Sequence, residues 1–178
     1  MNIYLASSWR NAHQPAVLAA LRAAGHEVYD FRNPAPGNYG FRWSDIDPDW
    51  QKWTPEQYHA ALNHPNANRG FRYDMDALSA CDACVLVLPC GRSAHLELGW
   101  AAGAGKLTIV LQLEPQEPEL MVKMCDGIAS SVEGVLALLE KEPLCGAVCP
   151  ADKLACVRPN GHDGSHKDKL HRTWAQWR

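Results

Sequence analysis

Short apolar runs alternate along this chain with stretches whose apolar residues recur every three or four positions. NIYLA at 2–6 reads as a buried strand, and the polar bend SSWRN follows it. HQPAVLAALRAA at 13–24 carries apolar residues at helical spacing, with Gly25 placed to cap its end. HEVYDF at 26–31 is a second strand. The segment 32–69 is rich in Pro, Asn, Asp and Trp and reads as a long loop with a short helix near 56–63. A helix over 70–80 leads to a third strand at 83–88, a helix over 93–104, a fourth strand at 107–113 and a last helix over 130–141.

Strands this short and this continuously apolar, separated by helices, predict a parallel sheet covered on both faces. The expected fold class is therefore α/β, a Rossmann-like doubly wound and mostly parallel sheet. The pattern stops after Pro143, which divides the chain into an α/β domain at 1–142 and a Cys/His-rich tail at 143–178. In such sheets ligands gather beyond the carboxyl ends of the strands. SSWRN, the 32–69 loop and PCGRS all fall there.

Composition narrows the function classes. The chain has 178 residues, 47% hydrophobic and 21% charged, the balance of a globular domain. A net charge of −3 gives no electrostatic footprint for a nucleic-acid polymer or a membrane surface. No apolar stretch approaches the roughly 20 residues that span a bilayer. MNIYLASSWR opens as a strand without the basic-then-apolar order of a signal peptide, so a cytoplasmic location is expected. Cys81 and Cys84 spell C-x-x-C but run into a strand, which favours a role as small core residues over a redox motif.

The helix after the third strand raises the chemical question. HLELGWAAGAG offers almost no polar face, so Glu97 gains solvent only by lining a cavity. Asp74 and Asp76 precede an apolar helical stretch, where acids are commonly capping residues. Paired carboxylates are the working groups of glycoside cleavage. Ser93 and the amides of Gly91 to Ala94 stand at a helix start, suited to a phosphate or a sugar hydroxyl. Ser93 is equally suited to serve only as the N-cap.

Taken in order, IYLASS, the D-x7-D of Asp74 to Asp82, the G-x-S-x-x-x-E-x-G of Gly91 to Gly99, and Gly105–Lys106 resemble the nucleoside 2-deoxyribosyltransferase superfamily, which includes nucleoside-monophosphate N-glycosidases. The resemblance covers residues 1–140. It implies cleavage or transfer of the N-glycosidic bond of a nucleoside or nucleoside 5′-monophosphate. Glu97 is then the nucleophile that forms a glycosyl-enzyme ester, and Asp74 assists at the base or ribose. Tyr4, Ser7, Arg10, Gly91 and Ser93 contact the substrate, with Arg10 and Ser93 at the 5′-phosphate. A homo-oligomer, and no cofactor for catalysis, are also implied. Arg92, His95 and the aromatic loop GNYGFRWSDIDPDWQKW have no counterpart in the family pattern.

Two other readings compete. PCGRSAHLE also resembles the PGG-x-GT-x-x-E loop of cytokinin-releasing phosphoribohydrolases, but those carry a glycine-rich turn where this chain has SSWRN. A non-catalytic nucleotide sensor fits the same fold, although a binder of anions gains nothing from two acids.

The tail contains Cys145, Cys149, Cys156, His162 and His166, soft donors at spacings that suit a closed tetrahedral zinc site. The segment resembles small C…C-x-RP-x-GH-x-G-x-H modules. That likeness implies Cys145, Cys156, His162 and His166 as ligands of a structural zinc, with Cys149 the substitute for Cys145.

Overall fold

The computed structural model describes residues 1–140, residue 156, and the backbone of residues 166–167 and 173–174. Five strands run β1 (Asn2–Ala6), β2 (Glu27–Tyr29), β3 (Ala83–Val87), β4 (Leu107–Leu111) and β5 (Gly127–Ala129). They form one sheet in the order β2-β1-β3-β4-β5, with every neighbouring pair parallel. The order reverses direction between β1 and β3. That is the topological switch point, where the helices leaving adjacent strands go to opposite faces and open a crevice.

Alternation along each strand sorts the side chains into two layers. Ile3, Leu5, Val85, Val87, Ile109 and Leu111 face α1 (Gln14–Ala23) and α5 (Val132–Leu139). Tyr4, Ala6, Cys84, Leu86 and Val110 face α3 (Pro65–Ala80) and α4 (Arg92–Gly103), which contribute Leu78, Ala94, Leu98 and Ala101. Burial on both faces is why the strands read as unbroken apolar runs. Cys81 and Cys84 are buried free thiols within the second layer, as their apolar setting predicts.

The helices begin where local chemistry allows. Gly25, at φ +88°, turns the chain after α1, a conformation that costs a residue with a Cβ. α2 (Pro55–Leu62) starts with a reciprocal cap: Gln57 N donates to Thr54 Oγ1 at 3.3 Å, and Thr54 N donates to Gln57 Oε1 at 2.8 Å. Ser131 Oγ accepts from Gly134 N at 3.1 Å and starts α5.

Several boundaries differ from the sequence expectation for identifiable reasons. α3 begins at Pro65, not residue 70, because Pro65 is pre-set for a first turn and His64 Nδ1 accepts from Asn66 N at 3.1 Å. β2 stops at Tyr29 because Asp30 leaves the ladder, its carboxylate accepting from Gln14 Nε2, Arg32 N and Asn33 Nδ2. β4 ends at Leu111, and the last helix is shorter than 130–141. β5 is a strand the periodicity missed. It has three residues, and Asp126 seats it by accepting from Thr108 N at 2.7 Å and Thr108 Oγ1 at 2.9 Å. Among the described residues no helix is long and apolar enough to cross a membrane.

Candidate active site

β1 sends Tyr4 to the α3/α4 face, where β2 places Tyr29 beside it. The two rings stack with centroids 5.2 Å apart and planes 19° from parallel. Above them stand the two carboxylates. On α3, Ala67, Asp74 and Leu78 follow one helical stripe, and Ala67 and Leu78 are buried. Asp74 thus holds a position the spacing otherwise gives to an apolar residue. On α4 the buried stripe is Ala94, Leu98 and Ala101, and Glu97 flanks it, half-buried. The resulting cluster is two phenols and two acids between two helices and the sheet.

Their electrostatics follow from that placement. Tyr29 donates its hydroxyl proton to Asp74 Oδ1 at 2.8 Å. Burial raises the pKa of Asp74, and the Tyr29 hydrogen bond offsets part of the rise. Burial also pushes Glu97 up, the negative charge of Asp74 adds to it, and hydrogen bonding from Tyr4 partly opposes both. The net result is about 7. Both phenols are held well above their ordinary range, by burial first and then by the neighbouring carboxylates. They therefore act here as neutral hydrogen-bond donors. A glutamic acid poised near neutrality beside a second carboxylate is the signature of an acid, a base or a nucleophile.

The loops after β1 and β2 are tied to the end of β3. Ser7 Oγ donates to the Val87 carbonyl at 3.0 Å, and buried Asn11 Nδ2 donates to the carbonyls of Val87 and Pro89, both at 3.0 Å. Arg32 Nη2 donates to the carbonyls of Ser8, Trp9 and Asn11 at 2.9, 3.2 and 3.0 Å, its guanidinium lying near the Trp9 and Phe31 rings. The unassigned aromatic segment is ordered by its own ring contacts: Phe41, Trp53 and Tyr58 each meet Trp43 edge-on. Between this segment and α3 lies a cleft of about 200 Å³ whose wall includes Tyr29 and Asp74.

The structure brings Tyr4, Asp74 and Glu97 together. Gly91 is the N-cap of α4, which removes the N-cap reading of Ser93. Ser93 is instead exposed in the first turn. Ser7 faces a carbonyl, and Arg10 is exposed with no side-chain partner among the described residues. Tyr29 was missed: the sequence puts it on a strand, and only the β1–β2 register sets it beside Tyr4. Asn11 carried no signal, since only the fold brings it to Val87. Cys145, Cys149 and His162 lie outside the described residues. Cys156 is described and buried, and His166 is described only as backbone, paired with Trp174 in a two-strand ladder.

No family model matches the chain, and no curated protein matches it. Solved structures are similar at low identity. One belongs to a study of the 2-deoxyribosyltransferase of the psychrotolerant bacterium Bacillus psychrosaccharolyticus, 19% identical with a TM-score of 0.49, covering 75% of this chain and 88% of that one. Another is the CMP N-glycosidase BcmB of Clostridium botulinum, 18% identical with a TM-score of 0.41, covering 78% of this chain and 97% of that one.

Proposed function

We propose that the protein cleaves or transfers the N-glycosidic bond of a nucleoside or nucleoside 5′-monophosphate, with Glu97 as nucleophile. The observation that carries this reading is the carboxylate pair Asp74/Glu97 over the Tyr4–Tyr29 stack, with Glu97 titrating near neutrality. An ionised Glu97 oxygen forms a bond to C1′ of the sugar as the C1′–N bond breaks, and the base leaves with the bonding electrons. The base takes a proton from solvent. Water, or a nitrogen of a second base, then attacks C1′; the ester opens, the attacking group loses its proton, and Glu97 is free again. Asp74 holds the base or the ribose, and neutral Tyr4 donates to the Glu97 carboxylate.

The exposed groups beyond β1 and β3, Arg10, Ser93 and the amides after Gly91, are suited to a 5′-phosphate. In the tail, Cys156 is buried, which suits a ligand of a structural zinc shared with Cys145, His162 and His166.

The test is Glu97→Gln, which keeps shape and loses nucleophilicity. Base release from a nucleoside and nucleotide panel should fall at least about 10³-fold with the thermal transition preserved. Wild-type protein quenched with a slow substrate should carry one sugar mass on the peptide containing Glu97. Undiminished release from the variant would end the reading.

A further inference from the structure

The segment between β2 and α3 builds a second feature that the carboxylate pair does not explain. Its cleft is faced by the Phe31, Phe41 and Tyr73 rings, and its polar rim carries Asn38, Asp45 and Arg69. The hydrogen bonds within the rim leave a defined set of groups open. Asp45 Oδ2 accepts from Arg42 N at 3.2 Å, which leaves the other carboxylate oxygen unpartnered among the described residues. Asn38 Oδ1 accepts from Gly40 N at 3.1 Å, so the Asn38 amide N–H groups remain. One Arg69 terminal nitrogen donates to Asn66 Oδ1 at 3.0 Å, and the rest of the guanidinium remains. On this rim the open acceptor is the Asp45 carboxylate, flanked by donors, in a cleft also lined by Phe31, Phe41 and Tyr73; the second carboxylate of the lining, Asp74, accepts from Tyr29.

That set rejects a phosphate, because Asp45 and Asp74 both line the cleft. It fits a flat heterocycle that presents an amino group beside ring or carbonyl acceptors. Carboxylates accept from exocyclic amines, and amide and guanidinium groups donate to ring nitrogens and carbonyls. Tyr29 and Asp74 belong both to this cleft and to the carboxylate cluster. A base seated here would therefore lie against the two members of that cluster, Tyr29 and Asp74, that line the cleft.

Resting on the N-glycosidic reading above, we infer that this cleft is the nucleobase subsite and that Asp45 selects amino-bearing bases over their oxo counterparts. In matched pairs the amino member, cytosine over uracil and adenine over hypoxanthine, is preferred.

Binding separates this inference from the chemistry. Calorimetry on the Glu97→Gln protein, with the nucleosides of cytosine, uracil, adenine and hypoxanthine as probes, needs no turnover. The amino member of at least one pair should bind about tenfold or more tightly. Asp45→Asn keeps an oxygen for Arg42 N and adds a donor; it should erase or reverse that preference without lowering the thermal transition. Equal affinity within both pairs, or a preference unchanged in Asp45→Asn, would overturn the inference even if the wild type releases base. Selective binding without base release in the wild type would leave the subsite standing and remove the glycosidic reading.

Discussion

Glu97 and Asp74 illustrate how a site is made from residues that are ordinary in isolation. Either acid on an exposed helix would be a solvated carboxylate. Here burial and mutual repulsion bring Glu97 to about 7, and the Tyr4 hydroxyl limits the rise. The sign of the resulting pH dependence follows. The nucleophile must be ionised, so kcat/KM for base release should climb with pH through an acid limb near 7. Asp74→Asn removes a negative charge that raises Glu97, so the limb should move to lower pH. Tyr4→Phe keeps the stacked ring and loses the donor that favours the carboxylate, so its limb should move to higher pH. Both shifts are read from pH–rate profiles of the purified variants. A limb that stays in place in both would remove Glu97 as the titrating group.

Among the elements, α3 carries the most. It presents Asp74 to the sheet and packs against the aromatic segment, with Gly70 set against Phe41. A Cβ at Gly70 would lie 2.7 Å from Phe41 Cβ. In an exposed helix interior, Gly→Ala is worth up to about 1 kcal/mol of stabilisation. Here that gain is set against displacing Phe41. Phe41 Cβ is fixed to its own backbone and no side-chain rotation relieves the contact, so Gly70→Ala is expected to lower the thermal transition, by about 1–3 kcal/mol of overpacking less that gain, and to raise KM for base release about fivefold or more. The value of kcat should stay within about twofold, because neither Glu97 nor Asp74 moves. Steady-state kinetics with the best nucleoside substrate decide it. A fall in kcat with KM unchanged would place Phe41 outside the substrate's reach.

For the molecule as a whole, the chain's pattern sets the α/β domain apart from the proposed zinc module. The α/β domain has its own double-layered core. The proposed zinc module would depend on its metal, because a segment that short and polar buries too little to fold unaided. Purified protein should hold about one zinc per chain by elemental analysis. Cys156→Ser or His162→Ala should remove the zinc, whereas Cys81→Ser, within the sheet core, should not. Protein prepared without chelators and free of zinc would refute the module.

Apart from β5, the order of strands and helices was legible in the residues alone, because burial on both faces of a parallel sheet forces continuous apolar runs. Glu97 stood out as an acid in a helix with few polar residues; in the structure Leu96 and Trp100 are exposed on α4, and Glu97 lies half-buried on the flank of the Ala94–Leu98–Ala101 stripe. The rest came from packing between elements. That Asp74 is a partner of Glu97 and not a capping residue follows only from α3 and α4 lying side by side over β1. Tyr29 enters the cluster because β2 is in register with β1, a pairing that periodicity does not encode. β5 was too short to show a period, and its place rests on Asp126 and Thr108 meeting across 18 residues of chain. The cleft beneath the aromatic segment was least legible of all. Its walls come from loops and a helix whose contacts are long-range, and local propensity carries no record of such contacts.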